Sequence, residues 1–95
     1  MDHQINVFRL CRAVHLTVEP LGQAHRYHVS GGTQRHLVDW ELGECDCADH
    51  CYRRTLCAHL LAAALREGEP SVLAALRLVV PNPDRVGRRL RSLAA

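Results

Sequence analysis

The sequence predicts a small α+β fold: a short antiparallel β-meander packed on helices, in the order α-β-β-β-α-α-α. Three observations lead there. Three alternating stretches separated by glycine and proline signals fill the first half. A Leu/Ala-rich run with helical spacing opens the second half. Between them lies a polar stretch in which Cys45, Cys47, Cys51 and Cys57 crowd together.

The elements follow in order. Residues 5–14 place apolar side chains at Val7, Leu10, Cys11 and Val14, a helical stripe. His15–Glu19 alternates as a half-buried strand does and is stopped by Pro20 and Gly22. Arg26–Ser30 alternates again and runs into the turn signal Gly31-Gly32, and His36–Leu42 forms the third strand. Residues 43–54 have no periodicity and read as a loop. Thr55 is the expected N-cap of a helix from Leu56 to Arg66 that ends before Gly68. Glu69-Pro70-Ser71 begins another helix through Val80, stopped by Pro81-Asn82-Pro83. Residues 84–93 are read as a last helix, weakened by Gly87.

Length and composition bound the class. Ninety-five residues, 47% hydrophobic and 23% charged, suit one domain spanning 1–95. Within it, 1–24 form an N-terminal helix and strand, and 69–95 a helical extension. No apolar run approaches the ~20 residues that cross a bilayer, and Met1-Asp2-His3-Gln4 lacks a signal-peptide pattern. The expectation is an intracellular, cytoplasmic protein, with nucleoid or nuclear association open and no membrane partner. All twelve basic residues are arginine, so their abundance reflects a compositional bias as readily as a nucleic-acid partner. Their distribution is uneven: residues 1–50 carry four Arg against seven acids, and 51–95 eight Arg against three acids.

Without a secretion signal, clustered cysteines point to metal rather than disulfides. A structural zinc takes four thiolate or imidazole ligands in a tetrahedron. Cys45 and Cys47, two positions apart after a strand, can aim both sulfurs at one ion while Asp46 points away. Cys57 and His59 follow after nine residues, at the start of the Leu/Ala helix, whose N-terminus favours a thiolate. Cys51, separated from Cys47 by three residues, is an alternative ligand, and His50 a weaker one. Asp46 and Asp49 read as solvated turn residues.

Cys45-Asp46-Cys47, nine residues, then Cys57-Ala58-His59-Leu60-Leu61-Ala62-Ala63-Ala64-Leu65 resembles the SWIM-type zinc finger. The strands at Tyr27-His28-Val29 and His36-Leu37-Val38 fit the same pattern, which covers about residues 25–66. The family pattern requires neither Cys51 nor His50. The resemblance implies a β-hairpin on a helix with one structural Zn2+ held by Cys45, Cys47, Cys57 and His59. Members of this family are proposed to bind DNA or proteins, and the finger itself has no catalytic role.

Four good ligands leave no open position for zinc catalysis, and no phosphate-cradling glycine loop is present, so neither an enzyme nor a small-molecule substrate is expected. His15, His25, His28 and His36 read as ordinary strand residues, although His28 and His36 could face each other across Gly31-Gly32 as a second metal site. The candidate nucleic-acid contacts are Arg53 and Arg54 between the ligand pairs and Arg85, Arg88, Arg89 and Arg91 in the tail. Aromatics for stacking on single strands are scarce: Phe8, Tyr27, Trp40 and Tyr52, with Tyr27 and Trp40 expected in the core. The expected function is binding of DNA or a DNA-associated protein complex. The alternative is a protein-interaction adaptor or homodimer formed through the apolar C-terminal helices.

Overall fold

The computed structural model describes residues 5–79. They form α1 (Val7–Ala13), β1 (Thr17–Pro20), β2 (Arg26–Ser30), β3 (Arg35–Asp39), β4 (Glu44–Cys45), α2 (Ala48–Arg53), α3 (Ala58–Glu67) and α4 (Pro70–Val79). The α+β class stands, with two short elements, β4 and α2, where the sequence reads as loop. The helix expected over 84–93, with Arg85, Arg88, Arg89 and Arg91, lies outside the described residues.

The four strands make one antiparallel sheet in the order β1-β2-β3-β4. Because side chains alternate along a strand, paired residues share a face. Val18 pairs with Val29, and Tyr27 pairs with Val38, which pairs in turn with Cys45. All five are buried, so they form the inner face. The same register puts His28 opposite Leu37 and His36 opposite Val29. His28 and His36 therefore point to opposite faces, which removes the second metal site considered above.

The inner face rests on α3, which buries Ala58 and every residue from Leu60 to Leu65. A helix apolar nearly all round is one that other elements surround. Here β2, α1 and α4 all pack against it. Its C-terminus closes on Gly68, in the left-handed conformation at φ 76°, whose N–H bonds back to the last turn. Its N-cap is Cys57 rather than Thr55.

In α1, Asn6 caps the helix by accepting from the Arg9 N–H at 3.1 Å. Leu10 and, at the C-cap, Val14 are buried as read in the sequence; Ala13 joins them, whereas Val7 and Cys11 face outward. In α4, Val72 and Leu76 are one turn apart and buried, while Leu78 is 89% exposed. The tyrosine hydroxyl of Tyr27 donates to Glu67 Oε1 at 2.7 Å, and the His25 ring meets the same oxygen at 2.7 Å. Burial and this bond push the Tyr27 hydroxyl up to about 12, so it stays a donor that ties the sheet to the end of α3.

Leu61 is fully buried in α3. Its replacement in Leu61→Ala should cost roughly 2–5 kcal/mol in urea denaturation, whereas Leu78→Ala should change stability by less than about 0.5 kcal/mol.

Candidate metal centre

Each of the four expected ligands arrives on a different device. Cys45 ends β4, and its register with Val38 turns its sulfur to the inner face. Cys47 is the N-cap of α2, its sulfur accepting from the His50 N–H at 3.4 Å. Cys57 repeats the arrangement as N-cap of α3, accepting from the Leu60 N–H at 3.4 Å. His59 sits in the first turn of the same helix, after Ala58. Two helix N-termini thus aim their free N–H groups at two sulfurs, where negative charge is favoured.

The donor atoms of Cys45, Cys47, Cys57 and His59 lie within 4.8 Å of one another. Tetrahedral bonds of ~2.3 Å to sulfur would set sulfurs roughly 3.8 Å apart, so a small contraction around one ion suffices. The three cysteines are 1–5% exposed, His59 is half-buried, and none of the cysteines is in a disulfide. The His59 Nδ1 is buried and has no hydrogen-bond partner, a deficit that a metal bond at that nitrogen would remove. The donor set and its geometry therefore fit one metal ion.

The alternative ligands stand apart from this cluster. Cys51 is exposed, and its thiol points to the Cys45 carbonyl at 3.7 Å. His50 is buried, and its Nδ1–H donates to the Thr55 carbonyl at 2.8 Å, bracing the loop between α2 and α3.

The surroundings hold residues that periodicity did not single out. His36, on the inner face, sets its ring centroid 4.3 Å from that of His59, the two rings tilted by 45°. Asp46 Oδ1 holds the His36 ring at 2.9 Å and also accepts from the Leu37 N–H at 3.3 Å. Asp46 is therefore a brace beside the site rather than a free turn residue. Asp49 is also engaged, receiving Arg9 through two bonds, Nε to Oδ2 at 2.7 Å and a second guanidinium nitrogen to Oδ1 at 3.0 Å. That bond holds the Asp49 carboxyl low and the Arg9 guanidinium high, with Cys57 and Cys47 adding to the pull on Arg9. A cation thus stands close to the thiolates.

The three thiols do not share their protons evenly. Hydrogen bonds from Cys45 first, then His59, the Leu60 N–H and Cys47, hold Cys57 at about 4, a thiolate at neutral pH. Its hydrogen bond with Cys45 pushes that thiol up, with burial adding, and burial pushes Cys47 up. One buried negative charge makes the next costlier, so only a cation at the centre allows all three to ionise.

Comparisons with family models, with curated proteins and with solved structures give no match. The centre rests on its own geometry.

Two outcomes follow. Metal analysis should find one ion per chain, kept in Cys51→Ala and lost in Cys57→Ala; loss with Cys51 instead would overturn the ligand set. Loading the apo chain at pH 7 should expel the protons of Cys45 and Cys47, read as a buffer-dependent binding enthalpy in calorimetry. Because metal and protons compete for those sulfurs, affinity should fall as pH falls.

Proposed function

We propose that this chain is a SWIM-type zinc module that holds one structural Zn2+ through Cys45, Cys47, Cys57 and His59 and binds DNA or a DNA-associated protein complex without catalysis. The observation that carries this reading is the four-donor cluster, with its Cys-x-Cys and Cys-x-His pairs drawn from β4, the α2 cap and the start of α3. With four protein ligands bound, zinc has no position left for a substrate. The nearby cavity of about 330 Å³, lined by Trp40, Glu44, His50, Arg54, Leu56 and Leu60 among others, has none of the four ligands in its wall. Zinc supplies a cross-link here; the side chains around it supply charge and shape.

The arginines between the ligand pairs differ in what they offer a phosphate. Arg54 is bonded to Glu44 at 3.1 Å, and this bond holds the Glu44 carboxyl low. Arg53 is 71% exposed and only 3.5 Å from Asp49, a weak contact that phosphate can replace. Arg53 is the stronger candidate.

The second reading, an adaptor or homodimer without nucleic-acid contact, draws on α4. Leu78 stands in water on a helix whose other face is already buried on α3. A partner covering it would join the proteins through the C-terminal helix.

The test is duplex DNA binding across a salt series, by fluorescence anisotropy on the zinc-loaded chain. The log of the binding constant should fall linearly with log salt, and Arg53→Ala should reduce the slope by about one. A smaller change is expected for Arg54→Ala. No binding of either duplex or single-stranded DNA at low salt would remove the nucleic-acid half and leave the adaptor. Chelation should unfold the finger, because zinc at such sites contributes roughly 10–16 kcal/mol; an unchanged circular dichroism spectrum and melting temperature after chelation would overturn the structural role.

A further inference from the structure

The chain has four aromatic residues, and the fold divides them into two pairs. Tyr27 is in the core and Trp40 packs against it, whereas Phe8 is 82% exposed and Tyr52 is 87% exposed. A single exposed ring is ordinary. These two stand on neighbouring helices, α1 and α2, which the paired bonds between Arg9 and Asp49 lock together. Phe8 is the neighbour of Arg9 on α1, and Tyr52 lies one turn from Asp49 on α2, so each ring is carried by a helix that the ion pair ties to the other.

The two helices carry a net positive charge, Arg9, Arg12 and Arg53 against Asp49. Asp49 is the lone acid of α1 and α2. Arg9 occupies it, Arg53 lies 3.5 Å away, and Arg12 is close enough to help hold its carboxyl low. Arg12 is exposed one turn beyond Phe8, and Arg53 is exposed beside Tyr52. Each ring therefore has an outward arginine for a neighbour.

We infer that the α1/α2 face binds single-stranded DNA, with Phe8 and Tyr52 stacking on bases and Arg12 and Arg53 contacting phosphates. Bases offer π-faces to exposed rings only when unpaired, and cations beside the rings then track the backbone. A duplex keeps its bases stacked inside and would use the arginines alone. An acidic peptide would also use the arginines but has no use for two separated flat rings. Stacking and phosphate contact do not use the 2′-hydroxyl; DNA is assigned because the proposed function above names it, and oligo(U) is the control for that choice. The inference rests on the nucleic-acid reading above and specifies its form and surface.

The test measures anisotropy of the zinc-loaded full chain with labelled oligo(dT) of about 15 nucleotides, a duplex of the same length, oligo(U) and poly-glutamate. Phe8→Ala and Tyr52→Ala should each weaken oligo(dT) binding at least about fivefold, the loss of one base stack, and leave duplex binding within about twofold. Tyr52→Phe should retain the affinity. Unchanged zinc content and melting temperature in each variant separate lost stacking from misfolding. If duplex DNA binds and oligo(dT) affinity ignores both rings, this inference fails while the DNA-binding reading stands. If neither DNA binds, both fail. Tighter binding of oligo(U) overturns the assignment to DNA. Equal, ring-independent binding of poly-glutamate reduces the face to a charged surface and overturns the inference.

Discussion

Three buried sulfurs and an imidazole brought to one point are the constraint on which the rest of the metal-side structure depends. β4 has two residues and α2 has six. Neither is long enough to persist by its own hydrogen bonds, because helix nucleation costs more than one turn returns and a two-residue strand adds little to a sheet. What holds them is convergence: Cys45 at the end of β4, Cys47 capping α2, and Cys57 with His59 at the head of α3. The opposite half of the molecule needs no such link. There, Leu10, Val29, Leu60 and Leu61 are fully buried around α3 and can hold α1 and the first strands by apolar contact alone. The described fold thus divides into an apolar half and a half gathered around the four candidate ligands, and the two share one helix.

That division also explains what was legible in the sequence. β2 matched its expected boundaries because Tyr27 and Val29 alternate with exposed neighbours, and α3 was legible from its Leu/Ala run and Gly68 stop. β4 and α2 left no periodic signal because ligation and capping fix them, not an apolar stripe. The N-cap of α3 was misread at Thr55 because the cap preference favours oxygen side chains, whereas at this helix a sulfur takes that role. In the α1 stripe Leu10 and Val14 were read correctly, and Val7 and Cys11 were misread because they are apolar by type, while the placement of α3 decides which side of α1 is inner. The four clustered donors were readable from spacing. Their supports, His36 with Asp46 and Arg9 with Asp49, were not, since they depend on strand parity and on contacts across forty residues.

Those supports have an electrostatic reason. Three thiolates and one neutral imidazole around a divalent ion would leave a net negative charge, and the three sulfurs that would carry it are buried. A buried charge needs a partner or hydrogen bonds. The two sulfur-capping N–H groups supply part of this, and the Arg9 guanidinium supplies more at longer range. Asp49 keeps Arg9 in place without cancelling it, because its carboxylate is shared with Arg53. The His36 ring, held by Asp46, limits the orientations open to His59. Ligand orientation set by such neighbours is a usual requirement of a tight metal site.

The same connections carry over to the outer surface. Tyr52 and Arg53 ride on α2, whose N-cap is Cys47. Phe8 and Arg12 ride on α1, which is anchored by the apolar half through Leu10 and Ala13. The Arg9–Asp49 pair joins these two foundations at 2.7 Å. If a metal holds α2 through Cys47, a surface shared by α1 and α2 is rigid only while that helix is in place. Rigid groups lose less freedom on meeting a partner than mobile ones. In the reading proposed here, the metal acts on binding from behind the interface: it touches no partner, yet it sets whether Tyr52 and Arg53 stand beside Phe8 and Arg12 as one surface or as two unconnected pairs.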